Sequence, residues 1–104
     1  LEHPNATNFG LANGRSMEGR GIFDGDVLVV DRVEHVSNDS VIVANFNGCF
    51  VCKIIDTDKA LLLSASDSHK PIAITAADSF QIEGVVNVSF RLHKKLPALL
   101  SCLA

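Results

Sequence analysis

Residues 41–55 read Val41-Ile42-Val43-Ala44-Asn45-Phe46-Asn47-Gly48-Cys49-Phe50-Val51-Cys52-Lys53-Ile54-Ile55. Two apolar, β-branched runs of strand length flank Asn47-Gly48. Asn-Gly is the strongest two-residue hairpin signal, because both central positions of a type I′ turn need positive φ. So short a loop also fixes the register. Phe46 then faces Cys49, Ala44 faces Val51 and Ile42 faces Lys53. Working outward, further strand signals fall at residues 27–30, 61–63 and 85–90, with a shorter one at 72–75. Polar or Gly-containing segments separate them, and no stretch sustains a helical period. Residues 97–103, opening on Pro97, suggest only a short helical turn. The pattern predicts one mostly-β domain over residues 1–104, built as a bent sheet or partial barrel. Residues 1–2 read as a cloning remnant and residues 92–104 as an atypical apolar tail.

Composition narrows the functional classes. A chain of 104 residues with 47% apolar and 20% charged residues can bury a core without metals or disulfides, and is too apolar to be disordered. No run approaches the ~20 apolar residues of a membrane span. The net charge of −3 argues against binding through nucleic-acid phosphates. The one basic cluster, Arg91, His93, Lys94 and Lys95, reads as the solvated end of a strand. Three cysteines without scaffold spacing, Cys49, Cys52 and Cys102, suggest a reducing compartment. Cys49-Phe50-Val51-Cys52 lacks the second pair a zinc ribbon needs, so no metal is expected. Both thiols are expected to be buried ones of no special reactivity.

The hairpin register gives Lys53 an unusual setting. It shares a strand face with Val51 and Ile55, and with Ile42 and Ala44 across the hairpin. The opposite face is apolar too. Burial disfavours the ammonium and pushes a lysine below its ordinary ~10.4. A neutral amine made this way is a competent general base. The alternative is a lysine at the sheet margin, its stem covered and its ammonium in water. A second segment, residues 14–31, reads Gly-Arg-Ser-Met-Glu-Gly-Arg-Gly-Ile-Phe-Asp-Gly-Asp-Val-Leu-Val-Val-Asp. Its glycines permit close turns around Ser16, whose hydroxyl and backbone N–H can be exposed together. That suits a nucleophile beside an oxyanion-binding N–H. It equally suits an ordinary loop serine.

Together these residues resemble a known family. Gly14-x-Ser16-Met17, then Gly21-Ile22-x-Asp24-Gly25-Asp26 and a β-branched strand, is similar to the nucleophile segment of the LexA, UmuD and phage-repressor autoproteases. The family lysine follows its serine by 37 residues on a hairpin strand, and Lys53 follows Ser16 by 37. His3-Pro4-Asn5-Ala6-Thr7, Phe9, Gly48-x-Phe50-x-x-Lys53, Pro71-Ile72-x-Ile74 and Gly84-Val85-Val86 resemble the UmuD branch in particular.

The resemblance implies a cleft holding a Ser–Lys dyad, with Ser16 as nucleophile, Lys53 as general base, and the backbone N–H groups of Ser16 and Arg15 as an oxyanion hole. It implies no cofactor, and leaves the four histidines without a role. The implied substrate is the protein's own N-terminal arm, cut with stimulation by RecA filaments on single-stranded DNA in the SOS response of the bacterial cytoplasm. The implied partners of the processed form are a second copy, as a homodimer, and the catalytic subunit of an error-prone Y-family translesion polymerase. Sequence-specific DNA binding by this domain and membrane attachment are not implied. Fifteen residues precede Ser16 and neither Ala-Gly nor Cys-Gly occurs, so the chain is expected to be a processed or truncated form. Two departures stand out: Arg15 where Asp is common in the UmuD branch, and Asp39-Ser40 where the family has Gly-Asp. The competing readings are the dimerisation and autocleavage domain of a LexA-like or phage-type repressor, and a non-catalytic binding module.

Overall fold

The computed structural model describes residues 7–93 and 102–103. Eight strands follow in order: β1 (Thr7–Ala12), β2 (Val27–Asp31), β3 (Val41–Phe46), β4 (Cys49–Asp56), β5 (Leu61–Leu63), β6 (Ile72–Ala73), β7 (Phe80–Phe90) and β8 (Cys102–Leu103). A single 3₁₀ turn, Glu18–Arg20, interrupts the β1–β2 connection. The strands form one sheet in the order β6-β5-β4-β3-β7-β2-β1-β8. Every pairing is antiparallel except that of β1 with β8. Among the described residues no helix is long and apolar enough to cross a membrane.

The β3–β4 hairpin has the predicted register, with Phe46 opposite Cys49, Ala44 opposite Val51 and Ile42 opposite Lys53. Asn47 (φ 52°) and Gly48 (φ 86°) supply the two positive φ values of the turn. The long strand β7 pairs with β3 on one side and β2 on the other, and each ladder slips once, between Val43 and Ala44 and between Val29 and Val30. Such bulges bend a strand and raise its twist. The sheet curls far enough to bring β8 against β4, although β3, β7, β2 and β1 lie between them in the sheet order. The expectation of a mostly-β, bent sheet holds.

Both faces of the sheet carry apolar side chains, as period-two strands with two covered faces require. One cluster gathers Ala12, Met17, Ile22, Leu28, Val30, Val43, Cys52 and Ile54. The other gathers Ile42, Ala44, Ile55, Leu62 and Val85. Strand β4 thus feeds Cys52 and Ile54 to one side and Ile55 to the other, with Lys53 between them.

Some expectations need correction. The sequence pattern offered no strand at residues 7–12, yet β1 pairs with β2 from Thr7↔Asp31 to Leu11↔Val27. Strand β7 begins at Phe80, five residues before the apolar run that announced it. Cys102 and Leu103 are strand, not the end of a helical turn; residues 97–101 lie outside the described residues, as does most of the tail. Cys52 is buried as expected, but Cys49 is exposed, because it leaves the Asn47-Gly48 turn beyond the reach of the core.

Candidate active site

Lys53 sits in the middle of β4 and retains 9% of its exposure. Its neighbours across the hairpin, Ile42 and Ala44, are fully buried. No carboxylate lies within ion-pair reach of it among the described residues. Its ammonium donates instead to Ser64 Oγ, at 3.1 Å. Burial pushes the Lys53 amine below its ordinary range, opposed weakly by the neighbouring Cys52. Cys52 is itself held neutral, since burial raises its thiol to about 11. No thiolate is therefore present at neutral pH to hold the lysine in its charged form.

Ser16 lies on the loop that joins β1 to the 3₁₀ turn, and is half-buried. The loop is pinned at several points. Met17 is 3% exposed and anchors the loop in the core. Gly14 N–H donates to Asp24 Oδ1 at 2.8 Å, and Gly25 N–H to the Ala12 carbonyl at 2.8 Å. Ala65 N–H donates to the Ser16 carbonyl and Gly19 N–H to the Ala65 carbonyl, each at 2.7 Å. Gly19 is required there, because a Cβ would stand 2.5 Å from the Ala65 oxygen. Ser16 also shares a small cleft with Asn13, Gly14, Met17, Ile22 and Cys52, the residue preceding Lys53.

The two residues singled out from the sequence are thus brought to one neighbourhood, joined by the dipeptide Ser64-Ala65. Ser64 holds the Lys53 amine and Ala65 holds the Ser16 main chain. No hydrogen bond links Ser16 to Lys53, and Ser16 Oγ has no partner among the described residues. The backbone N–H groups of Arg15, Ser16 and Met17 likewise find no acceptor among the described residues. The Arg15 side chain turns outward and pairs with Glu18 (Nε–Oε2 3.1 Å), leaving 79% of it exposed.

Ser64 was not found from the sequence. It follows β5, and the pairing of Leu63 with Ile54 sets it beside Lys53. That register depends on a loop whose shape comes from Asp56 capping the N–H groups of Asp58 and Lys59, and from Ala60 at φ 52°. No standard turn signal announces it. The second departure is also explained: Asp39 adopts φ 69°, the left-handed region where glycine is at ease. Its N–H still reaches the Ile55 carbonyl at 2.9 Å, so the entry to the hairpin is kept with Asp in the glycine position.

A bent β-sheet carries a buried lysine and a pinned loop serine held by adjacent residues, Ser64 and Ala65, and comparison supplies the family. The Peptidase S24-like family matches residues 1–87, and the chain belongs to it. The kinship to LexA and UmuD read from the sequence is thereby borne out. Protein MucA of Salmonella typhimurium is 36% identical over 95 residues, covering 89% of this chain and 65% of that protein. Protein ImpA of Salmonella typhimurium is 36% identical over 73 residues, covering 70% of this chain and 46% of that protein. LexA repressor 1 of Xanthomonas oryzae pv. oryzae is 34% identical over 74 residues, covering 69% of this chain and 37% of that protein. The chain spans less than two thirds of the length of each of these relatives.

Proposed function

We propose that this chain is the catalytic domain of a self-cleaving serine peptidase of the UmuD type, with Ser16 as nucleophile and Lys53 as general base. The observation that carries the reading is a lysine that, among the described residues, is buried without a counter-ion, one dipeptide away from a pinned loop whose serine hydroxyl has no partner there. Neutral Lys53 takes the proton from Ser16 Oγ as the oxygen attacks the scissile carbonyl. The backbone N–H groups of Ser16 and Arg15 receive the carbonyl oxygen as it becomes an oxyanion. Collapse expels the amine, which takes the proton back from Lys53 and leaves an acyl-Ser16. A water molecule, deprotonated by Lys53, then releases the acid and restores Ser16. No His or Asp partner is needed, as in other Ser–Lys variants of the triad.

The substrate in this reading is the protein's own N-terminal arm, cut in a bacterial SOS response with RecA filaments as co-protease. The processed form would then dimerise and serve the catalytic subunit of a Y-family translesion polymerase. A second reading, a partner-holding module or a LexA-like repressor domain, draws on one observation. Phe9 on β1 and Val88 and Phe90 on β7, the strands that flank β2, expose 48%, 50% and 42% of their surface. In the full-length gene product at alkaline pH, self-cleavage is expected to fall by roughly three orders of magnitude in Ser16→Ala and in Lys53→Ala, with dimerisation intact. Cleavage that survives in either variant would remove the dyad, and the module reading would take its place.

A further inference from the structure

Ser64 belongs to no part of the mechanism above, yet it is the only hydrogen-bond partner of the Lys53 amine among the described residues. Its neighbour Ala65 holds the Ser16 carbonyl and is in turn held by Gly19. Resting on the dyad reading, we propose that Ser64 is a positioning residue for the Ser16–Lys53 pair, aiming the base while the same dipeptide fixes the nucleophile's loop.

The chemistry follows from valence. A neutral lysine amine has two N–H bonds and one lone pair. The amine lies 3.1 Å from Ser64 Oγ, and donating one N–H across that contact leaves the lone pair free and restricts where it can point. Were the Ser64 hydroxyl to donate instead, it would occupy the lone pair and block the base. When the Ser16 proton arrives on Lys53, the bond to Ser64 becomes one from an ammonium to a hydroxyl oxygen. Charge-assisted hydrogen bonds are roughly twice as strong as neutral ones. The contact therefore strengthens as the proton moves, which is the condition for an interaction to accelerate a step rather than only to hold a reactant. The surroundings leave this contact little competition. Strand β3 sets Ile42 opposite Lys53, the cluster on one side of the sheet holds Ile42, Ala44, Ile55 and Leu62, and Cys52 is the only titratable group that acts on Lys53 among the described residues. On the Ser16 loop, Arg15 and Glu18 are engaged with each other.

The test is the pH profile of self-cleavage in the full-length gene product, with Ser64→Ala and Ser64→Thr compared against the unsubstituted protein. Ser64→Ala removes an acceptor that favours the ammonium. The acid limb of its profile is therefore expected to move to lower pH by about half a pH unit, while the alkaline plateau falls about tenfold. A role in folding alone would lower the yield of active protein without moving the limb. Ser64→Thr keeps the hydroxyl and is expected to restore both limb and plateau. The titration of Lys53, followed by NMR of its labelled side chain, should move to lower pH in Ser64→Ala as well, which gives a readout independent of cleavage. If Ser16→Ala and Lys53→Ala abolish cleavage but Ser64→Ala superimposes on the unsubstituted protein in plateau, limb and lysine titration, the positioning role is overturned and the dyad stands. If cleavage survives in Ser16→Ala and is lost in Ser64→Ala, both fall, and Ser64 is the nucleophile.

Discussion

Two buried charged side chains, Asp26 and Lys53, face opposite fates in this molecule. Asp26 is 2% exposed and immediately precedes β2. Burial alone would raise its pKa, but the Arg91 guanidinium and the Phe23 N–H overcome that and hold the carboxyl below its ordinary value. Arg91 grips it with two nitrogens, Nε to Oδ1 at 2.8 Å and Nη2 to Oδ2 at 3.2 Å, and stacks over the Phe23 ring at 4.5 Å. Lys53 is buried to a similar degree with no such partner, and its pKa is lowered too. For an acid, lowering favours the charge; for a base, it favours its loss. The same direction therefore goes with a structural ion pair in one place and, on the proposed reading, with a base for proton transfer in the other.

The broadest way to break this comparison is to exchange the consequences. Lys53→Ala should abolish self-cleavage and leave a folded protein, whereas Asp26→Asn should unsettle the fold and leave the dyad residues untouched. Thermal or urea unfolding of Asp26→Asn is expected to show a loss of about 2 kcal/mol, since it weakens a buried, charge-assisted network. The acid dependence sharpens the point. With its folded pKa depressed, Asp26 contributes stability that is fully present above the unfolded value of ~3.9 and is lost as pH falls through the folded value. Asp26→Asn should therefore flatten the acid side of the stability curve. An unchanged acid limb would mean that the Arg91 pair contributes nothing.

Lys53→Met should act in the other direction. Replacing an unpaired buried lysine by an apolar side chain of similar volume is expected to stabilise the protein by about 1 kcal/mol near neutral pH. The sign follows from linkage. Between the lowered folded value and the unfolded value of ~10.4 the unfolded chain binds more protons at this site than the folded one, so stability rises with pH through that window. The advantage of methionine should accordingly shrink as pH approaches ~10.4. An advantage independent of pH would show that the lysine is not held neutral by burial. The smallest effect is expected at the hairpin entry, where Asp39→Gly relieves a left-handed aspartate and should add about 0.5 kcal/mol in urea unfolding.

The same contrast runs through what the sequence disclosed. The β3–β4 hairpin is specified by adjacent residues, Asn47-Gly48 and two alternating runs, so its register was legible down to the facing pairs, and with it the apolar face that carries Lys53. Ser16 was singled out because its segment resembles a family motif, not because of its local chemistry. What stayed hidden depends on distant partners. Thr7–Ala12 contains Asn8 and Gly10, poor strand formers, and becomes β1 only by pairing with β2. The first half of β7 carries Gln81, Glu83 and Gly84 and is held as strand by pairing with β3. Ser64 reaches Lys53 through the β4–β5 register, which no turn motif encodes. The Asp26–Arg91 pair spans 65 residues of sequence and had no local signal at all.

The measurement closest to the central claim is the titration of Lys53 itself, followed by NMR of a chain labelled at the lysine side chains and assigned with Lys53→Met. A midpoint clearly below the ordinary lysine range is the expected result, and it would make Lys53 a base available to Ser16 at a lower pH than an ordinary lysine. A midpoint at or above that range would mean that the amine keeps its proton where cleavage must occur, and the dyad reading would have to be given up.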